Sequence, residues 1–303
     1  MKHLLFQVLE SNIPTLNHHI NYTYPISMSN TSTTNQKQYQ LIKAVVINLD
    51  RSAHRLNWFM DNAKKVDLNV LKLSAVDAHS YSNKSLILSF KGEGSELSDG
   101  EIACILSHRL AWKMLVDSTD SHLMIFEDDV HLSANIKQLL KNSQAISNYD
   151  LIKLETIFKS VSLSQKNKKS CGNLQIPLML TRHYGAAGYI VSRKCALRLL
   201  NLTKVCYQPI DYVLFDEKSV LWKEFDVYQA LPALCVQDFF YSKRLNVEVS
   251  FGSDTGQSRK PRRKKNNKTI FSSSRVRKFL RYLNCVKKGA NILSYKKVVD
   301  YVP

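Results

Sequence analysis

"HLMIFEDDV", residues 122–130, runs an apolar stretch straight into three consecutive carboxylates. A short apolar run bounded by turn chemistry reads as a buried strand. Glu127, Asp128 and Asp129 then stand where that strand leaves its sheet. Three neighbouring negative charges repel one another, and each resists losing its water. The pattern calls for something positive at the strand end. Side chains alternate along extended backbone, so Glu127 and Asp129 share one side and Asp128 turns the other way, into the protein or toward a cap. Hard divalent cations take oxygen ligands, which makes the pair Glu127 and Asp129 the expected ligands of Mn2+ or Mg2+. The plainer reading is three acids opening a solvated loop, and spacing alone leaves both standing.

Outward from this stretch the chain alternates strand and helix. "LIKAVVINLD" (41–50) is a β-branched run expected as a fully buried strand. "RSAHRLNWFMDNAKKV" follows with helical spacing through Leu56, Phe59 and Met60, and "LNVLKLSAVDA" offers a second strand. "LSDGEIACILSHRLAWKMLVD" (97–117) is the clearest helix and leads into 122–130. Downstream, "YDLIKLE" (149–155) and "VYQALPALCVQ" (227–237) are each expected as one strand, and "TRHYGAAGYIVSRKCALRLL" (181–200) as loop, strand and helix. This rhythm predicts an α/β sheet with helices on both faces. Ligands of such sheets bind beyond the carboxyl ends of the strands, where Asp50-Arg51 and Glu127-Asp128-Asp129 both fall.

The helix at 97–117 holds two patterns at once. Ser98 with Glu101 three residues on fits a capping box, a device worth roughly 0.5–2 kcal/mol. Glu101, Cys104, Ser107, His108 and Ala111 also recur at helical spacing as a stripe of small and polar residues, opposite Ile102, Ile105, Leu106, Leu110 and Leu115. Beside a cation seat such a stripe suits a polar ligand such as a sugar or a diphosphate, so Ser107 and His108 are expected to contact it. Arg51 and Arg55 lie four apart and share a face if a helix begins there. Their guanidinium forks suit phosphate or a nucleobase edge, against the alternative of solvated surface arginines. Asn48 can reach a nucleotide from its strand end or serve as a buried polar tie. Gly185 and Gly188 in "HYGAAGYIVS" permit close approach of backbone to a ligand, with Tyr184 and Tyr189 available to stack on sugar faces. A glycine-relieved buried strand explains the same residues.

Taken in order, "VVINLDRSAHRL" (45–56), "LSAVDA" (73–78), "LSDGEIACILSHRLAWKML" (97–115), "LMIFEDDV" (123–130), "YGAAGYIVSRKCALRLL" (184–200) and "PIDYVLF" (209–215) resemble glycosyltransferase family 25. That family includes bacterial lipopolysaccharide and lipooligosaccharide galactosyltransferases and animal collagen galactosyltransferases; size and the basic C-terminus favour the bacterial kind. The resemblance implies a GT-A-like fold and a UDP-sugar donor, most often UDP-galactose. It makes the acidic triplet the counterpart of the DxD motif, with Mn2+ bridging to the donor pyrophosphate and Asp128 alongside on the donor side. It supports a donor role for Arg55. It points to Asp211, in the Pro-x-Asp element, as the base that takes the acceptor hydroxyl's proton in an inverting transfer; Glu101, Asp216 and Glu217 are its rivals, and Asp211 as a simple helix cap is the plainer reading. Tyr184, Gly185, Gly188 and Tyr189 become the wall for acceptor or sugar.

The remaining features bound the cell biology. Residues 1–40 are polar and read as an extension, 41–250 as the catalytic domain and 251–303 as a basic tail. From Arg259 onward 15 Lys/Arg face a single acid, Asp300, within a net charge of +18. Val276, Phe279, Leu280 and Leu283 recur at helical spacing among those bases, which suits a helix lying on anionic membrane. The polybasic part lacks aromatic platforms, which argues against nucleic acid as a partner. The six cysteines form no CxxC pair, so neither a zinc site nor a disulfide framework is expected and the thiols are read as reduced. With no apolar run of membrane-spanning length and no signal-peptide pattern, the expectation is a cytoplasmic enzyme peripheral to the inner membrane, acting on a lipid-linked oligosaccharide. The competing class is a non-catalytic relative that binds polyanion or anionic membrane through its tail.

Overall fold

The computed structural model describes residues 42–165, 169–171, 173–249, 251 and 294–303. In chain order β1 (Lys43–Asn48), α1 (Ala53–Lys65), β2 (Val70–Ser74), α2 (Lys84–Phe90), α3 (Asp99–Asp117) and β3 (His122–Glu127) make the first half. There follow β4 (Val130–Leu132), α4 (Ile136–Lys141), β5 (Leu151–Lys153), β6 (Glu155–Thr156), β7 (Ser160–Ser164), β8 (Lys169–Cys171) and β9 (Leu174–Ile176). Then come β10 (Gly188–Ser192), α5 (Arg193–Leu202), α6 (Ile210–Phe215), α7 (Val220–Glu224), β11 (Val227–Gln229), β12 (Cys235–Gln237), α8 (Asp238–Leu245) and β13 (Ser294–Val298).

The main sheet has the order β11-β5-β10-β3-β1-β2. β1 runs parallel to β2 and β3, whereas β10 is antiparallel to both β3 and β5. The sheet is therefore mixed. Alternation along its strands fills two cores. Val45 and Ile47 of β1 and Leu123 and Ile125 of β3 pack with Ile102, Ile105 and Trp112 of α3. Ala44, Val46, Met124 and Phe126 face the other way, onto Phe59 of α1 and Leu139 of α4. Both faces are covered, which is why β1 and β3 read as continuous apolar runs instead of alternating ones. Helix α3 is buried nearly all round, its small and polar stripe included: Glu101, Ser107, His108 and Ala111 are as enclosed as Ile102 and Ile105.

Two expected strands turn out to be pairs. "YDLIKLE" divides at Leu154 into β5 of the main sheet and β6 of a second, three-stranded sheet ordered β4-β12-β6. "VYQALPALCVQ" divides in the same way into β11 and β12, with a cis Leu231–Pro232 bond between them. A chain crossing between sheets keeps its apolar character throughout, so hydropathy carries no mark of the break. The last residues also differ from the expected tail. β13 pairs antiparallel with β7, Thr156 Oγ1 donates to the Val299 carbonyl at 2.5 Å and Val299 is fully buried. Residues 294–303 thus pack onto the same body as β6 and β7. The amphipathic segment read from Arg275 lies outside the described residues.

Candidate active site

Because β1 and β3 are parallel neighbours, Asn48 and Glu127 emerge from one edge of the sheet. The loop after β2 arrives at the same edge, and α3 passes across it. Between them lies an open cavity of about 580 Å³, lined by Ile47, Leu49, Arg51 and Arg55, by Val76, Asp77 and His79, by Asp99, Gly100, Cys104, Ser107 and His108, and by Glu127, Asp128, Asp129 and Gln237. The structure brings Arg51, Arg55, Ser107, His108 and the three acids together around one space. Asn48 lies directly beneath.

The acids divide their work. Asp128 is tied inward: Asn48 Nδ2 donates to its Oδ2 at 2.6 Å, and Arg55 Nη2 meets its Oδ1 at 2.5 Å. Asn48 also donates to the Ser52 carbonyl at 3.1 Å, pinning the turn that starts α1. Arg55 reaches Asp129 as well, at 3.3 Å. Part of the positive charge the triplet demands is therefore supplied from within the chain. Glu127 and Asp129 converge instead on one donor, Gln237 Nε2, at 3.3 and 3.4 Å. Burial opposes ionisation of Glu127, but the hydrogen bond and charge of His108 and the charges of Arg55 and Lys153 outweigh it and hold the carboxyl below its usual range. Burial and the neighbouring Glu127 charge push Asp129 up to about 7. Arg55 and His108 thus answer part of the triplet's charge, and the rise at Asp129 shows that the carboxylates remain crowded. The pair Glu127/Asp129 keeps hard oxygen donors facing a cavity, and a divalent cation fits such a pair.

The α3 residues are held from behind. His108 Nδ1 lies 2.8 Å from the Tyr189 hydroxyl, which accepts from Trp112 Nε1 at 2.9 Å, and His108 Nε2 faces Glu127 Oε1 at 3.4 Å. Ser107 Oγ donates to the Ala103 carbonyl and accepts from Val76 N–H at 2.9 Å, fastening the loop after β2 to the helix. Arg51 Nε pairs with Asp77 Oδ2 at 2.8 Å at the mouth.

Other expected site residues sit elsewhere. Tyr189 is fully buried in the sheet and supports His108, so its ring is not a face for a sugar. Gly188 is a packing glycine: a Cβ there would lie 2.1 Å from Cys235 Sγ. Gly185, at φ +94°, would drive a Cβ into the Glu155 carboxylate at 2.5 Å. Tyr184 stacks on Tyr212 at 4.4 Å and donates to Asp216 Oδ2 at 3.0 Å. Asp211 opens α6 and accepts from Gly185 N–H at 3.4 Å. Since β10 is antiparallel to β3, residues 184–187 and with them Asp211 lie at the same sheet edge as the acids, outside the lining of the cavity. Glu101 closes the capping box, accepting from Ser98 N–H at 3.0 Å while Ser98 Oγ accepts from Glu101 N–H at 3.2 Å.

Sequence reasoning passes over Gln237, Asp77 and the pair Lys153–Glu155. Gln237 is an uncharged residue at a strand end, with no local signal. Lys153 and Glu155 carried one: two charges inside the apolar run "LIKLE". They bond at 3.0 Å with both side chains fully buried, Lys153 also donates to the Gly185 carbonyl, and Ala187 N–H donates to Glu155 at 3.0 Å.

The family model of glycosyltransferase family 25, described as LPS biosynthesis protein, matches residues 41–214. A lacto-N-neotetraose biosynthesis glycosyltransferase, LgtE, of Neisseria meningitidis is 32% identical over 183 residues, covering 55% of this chain and 63% of its own. A putative glycosyltransferase of Haemophilus influenzae is 36% identical over 148 residues, 48% of this chain and 51% of its own. The lipooligosaccharide biosynthesis protein lex-1 of the same species is 30% identical over 185 residues, 57% and 61%. In each of these three the match spans less than two thirds of the relative's length.

Proposed function

The chain belongs to glycosyltransferase family 25, and we propose that it moves a hexose, galactose foremost, from a UDP-sugar to a sugar hydroxyl of a lipopolysaccharide or lipooligosaccharide acceptor, with inversion, on a GT-A-like fold. The observation that carries this reading is the cavity at the carboxyl edge of β1, β2 and β3, with two convergent carboxylates on its floor and a guanidinium at its mouth. Glu127 and Asp129 would hold Mn2+ or Mg2+, which when bound neutralises charge growing on the departing diphosphate. Asn48 and Arg55 keep Asp128 turned away and so fix the direction of the other two. Arg51 is placed for the donor's phosphates or base, and Ser107 and His108 hold the wall against which the sugar lies.

Transfer needs the acceptor hydroxyl to attack the anomeric carbon while the bond to the diphosphate oxygen breaks with its electron pair. Asp211 takes the hydroxyl proton in this scheme. Its carboxylate lies against the Gly185 amide, and the Tyr184–Tyr212 stack beside it offers an aromatic face for the acceptor. No helix among the described residues is long and apolar enough to cross a membrane; attachment to the inner membrane surface through the basic segment remains part of the proposal.

Calorimetric titration of UDP-galactose, with Mn2+ and with EDTA, into wild type and Asp129→Ala tests the reading. Metal-dependent binding that disappears in the variant supports it. Binding indifferent to both EDTA and the substitution makes the acids structural and overturns the cation assignment. No binding of any UDP-sugar returns the chain to the non-catalytic class. Asp211→Asn should abolish transfer while leaving donor binding intact.

A further inference from the structure

Among the described residues, Cys104, His108 and Glu127 present a thiol, an imidazole nitrogen and a carboxylate oxygen all within 4.8 Å of one another. We propose that these three form a Zn2+ site on the wall of the cavity, distinct in chemistry from the hard pair Glu127/Asp129 and sharing one residue with it. The absence of CxxC spacing argued against zinc, but that signal concerns ligands near in sequence. Here two ligands come from adjacent turns of α3 and the third from the end of β3.

The geometry is close to what zinc asks. Tetrahedral coordination with ordinary Zn–N, Zn–O and Zn–S lengths sets the nitrogen and oxygen about 3.4 Å apart and the sulfur about 3.6 Å from either. His108 Nε2 lies 3.4 Å from Glu127 Oε1, and Cys104 Sγ lies 3.9 Å from the same oxygen. The third edge, Cys104 Sγ to the His108 nitrogen, lies within 4.8 Å, so a swing of the cysteine side chain by up to about an ångström closes the set at the ordinary zinc distances. All three residues line the cavity, so a fourth position faces open space, the arrangement of zinc sites that exchange a ligand. Supporting contacts are in place as well. Tyr189, itself anchored by Trp112, can accept from His108 Nδ1–H and leave Nε2 free for the metal, and Gln237 Nε2 holds the other oxygen of Glu127 at 3.3 Å. A thiolate and an imidazole select Zn2+ over Mn2+ or Mg2+. Resting on the transferase reading, one consequence follows: zinc at this site commits Glu127 and inhibits donor binding, in competition with the Mn2+ that supports it.

The test uses the full-length, metal-stripped protein and Co2+ as a spectroscopic stand-in for Zn2+. Wild type should give a thiolate-to-cobalt charge-transfer band that saturates at one Co2+ per chain and is displaced by Zn2+. Cys104→Ser should lose the band and bind Zn2+ at least about 100-fold more weakly in chelator competition, beyond the cost of losing an outer partner, while Asp129→Asn keeps both. X-ray absorption at the zinc edge of wild type, which needs no variant, should show one sulfur neighbour. A band that survives in Cys104→Ser, one that vanishes in Asp129→Asn, or a zinc shell of nitrogen and oxygen alone overturns the proposal. None of these readouts involves a sugar nucleotide, so the zinc site and the transferase reading fail separately.

Discussion

Two charged clusters lie beyond the same ends of the main-sheet strands and have opposite fates. Glu155 leaves β5 with Lys153 beside it, both fully buried, and the amide of Ala187 and the carbonyl of Gly185 complete the cluster. Glu127 and Asp129 leave β3 with His108 against Glu127, Arg55 against Asp129, one shared amide side chain and an open cavity. In the first, the two charges pair with each other in full burial, although Glu155 Oε1 has no hydrogen-bond partner. In the second, burial and the crowding of the carboxylates push Asp129 up, and the pair lines open space. What separates structural acids from a site is the local charge balance together with access.

The comparison can be broken most directly at the closed cluster. Lys153→Met should leave Glu155 buried without its counter-charge, holding only the Ala187 amide, and cost about 3–5 kcal/mol in a denaturant titration, because removing one member of a buried pair strands the other. A cost below about 1 kcal/mol would mean that the pair is no structural keystone. At the open group the effect should appear in function. Asp129→Asn should cut transfer about 10²–10³-fold while leaving the melting temperature unchanged or raised, since the substitution relieves repulsion with Glu127. A large drop in melting temperature would place Asp129 with the structural acids.

The border between the groups can be tested by pH. His183, bonded through Nδ1 to Gln229 Oε1 at 3.0 Å, has its pKa lowered from 6.5 to about 3 by burial and by the Lys153 charge. The folded state therefore refuses a proton that the unfolded chain accepts below 6.5. Stability should be insensitive to this group above that pH and fall by up to about 1.4 kcal/mol per pH unit as pH drops from 6.5 toward 3. His183→Asn should flatten that part of the stability–pH curve; an unchanged slope would show that other groups set it. The smallest effect concerns Glu101. Glu101→Gln should keep the capping box and leave both turnover and stability near wild type, whereas Glu101→Ala should cost about 1 kcal/mol. Loss of turnover in Glu101→Gln would restore it as a rival to Asp211.

Much of this was legible along the chain. The buried strands at 43–48 and 122–127 follow from uninterrupted apolar runs, and the capping box of α3 from Ser98 and Glu101, because those signals are local. The divided strands at Leu154 and around Leu231 were not legible, since hydropathy is the same in either sheet. Tyr189 misled for a related reason. An aromatic beside glycines suits a binding wall and a packed strand equally, and only its burial against His108 and Trp112 decides.

By itself, the sequence determined that an acid triplet would end a buried strand and need positive charge, because charge repulsion and strand periodicity act over a few residues. Tertiary structure alone decided which cation answers which acid. Arg55 turns to Asp128, Lys153 to Glu155, and Gln237 arrives from a strand 110 residues beyond Glu127. Electrostatic balance is set by distance in space, and only the fold sets that distance.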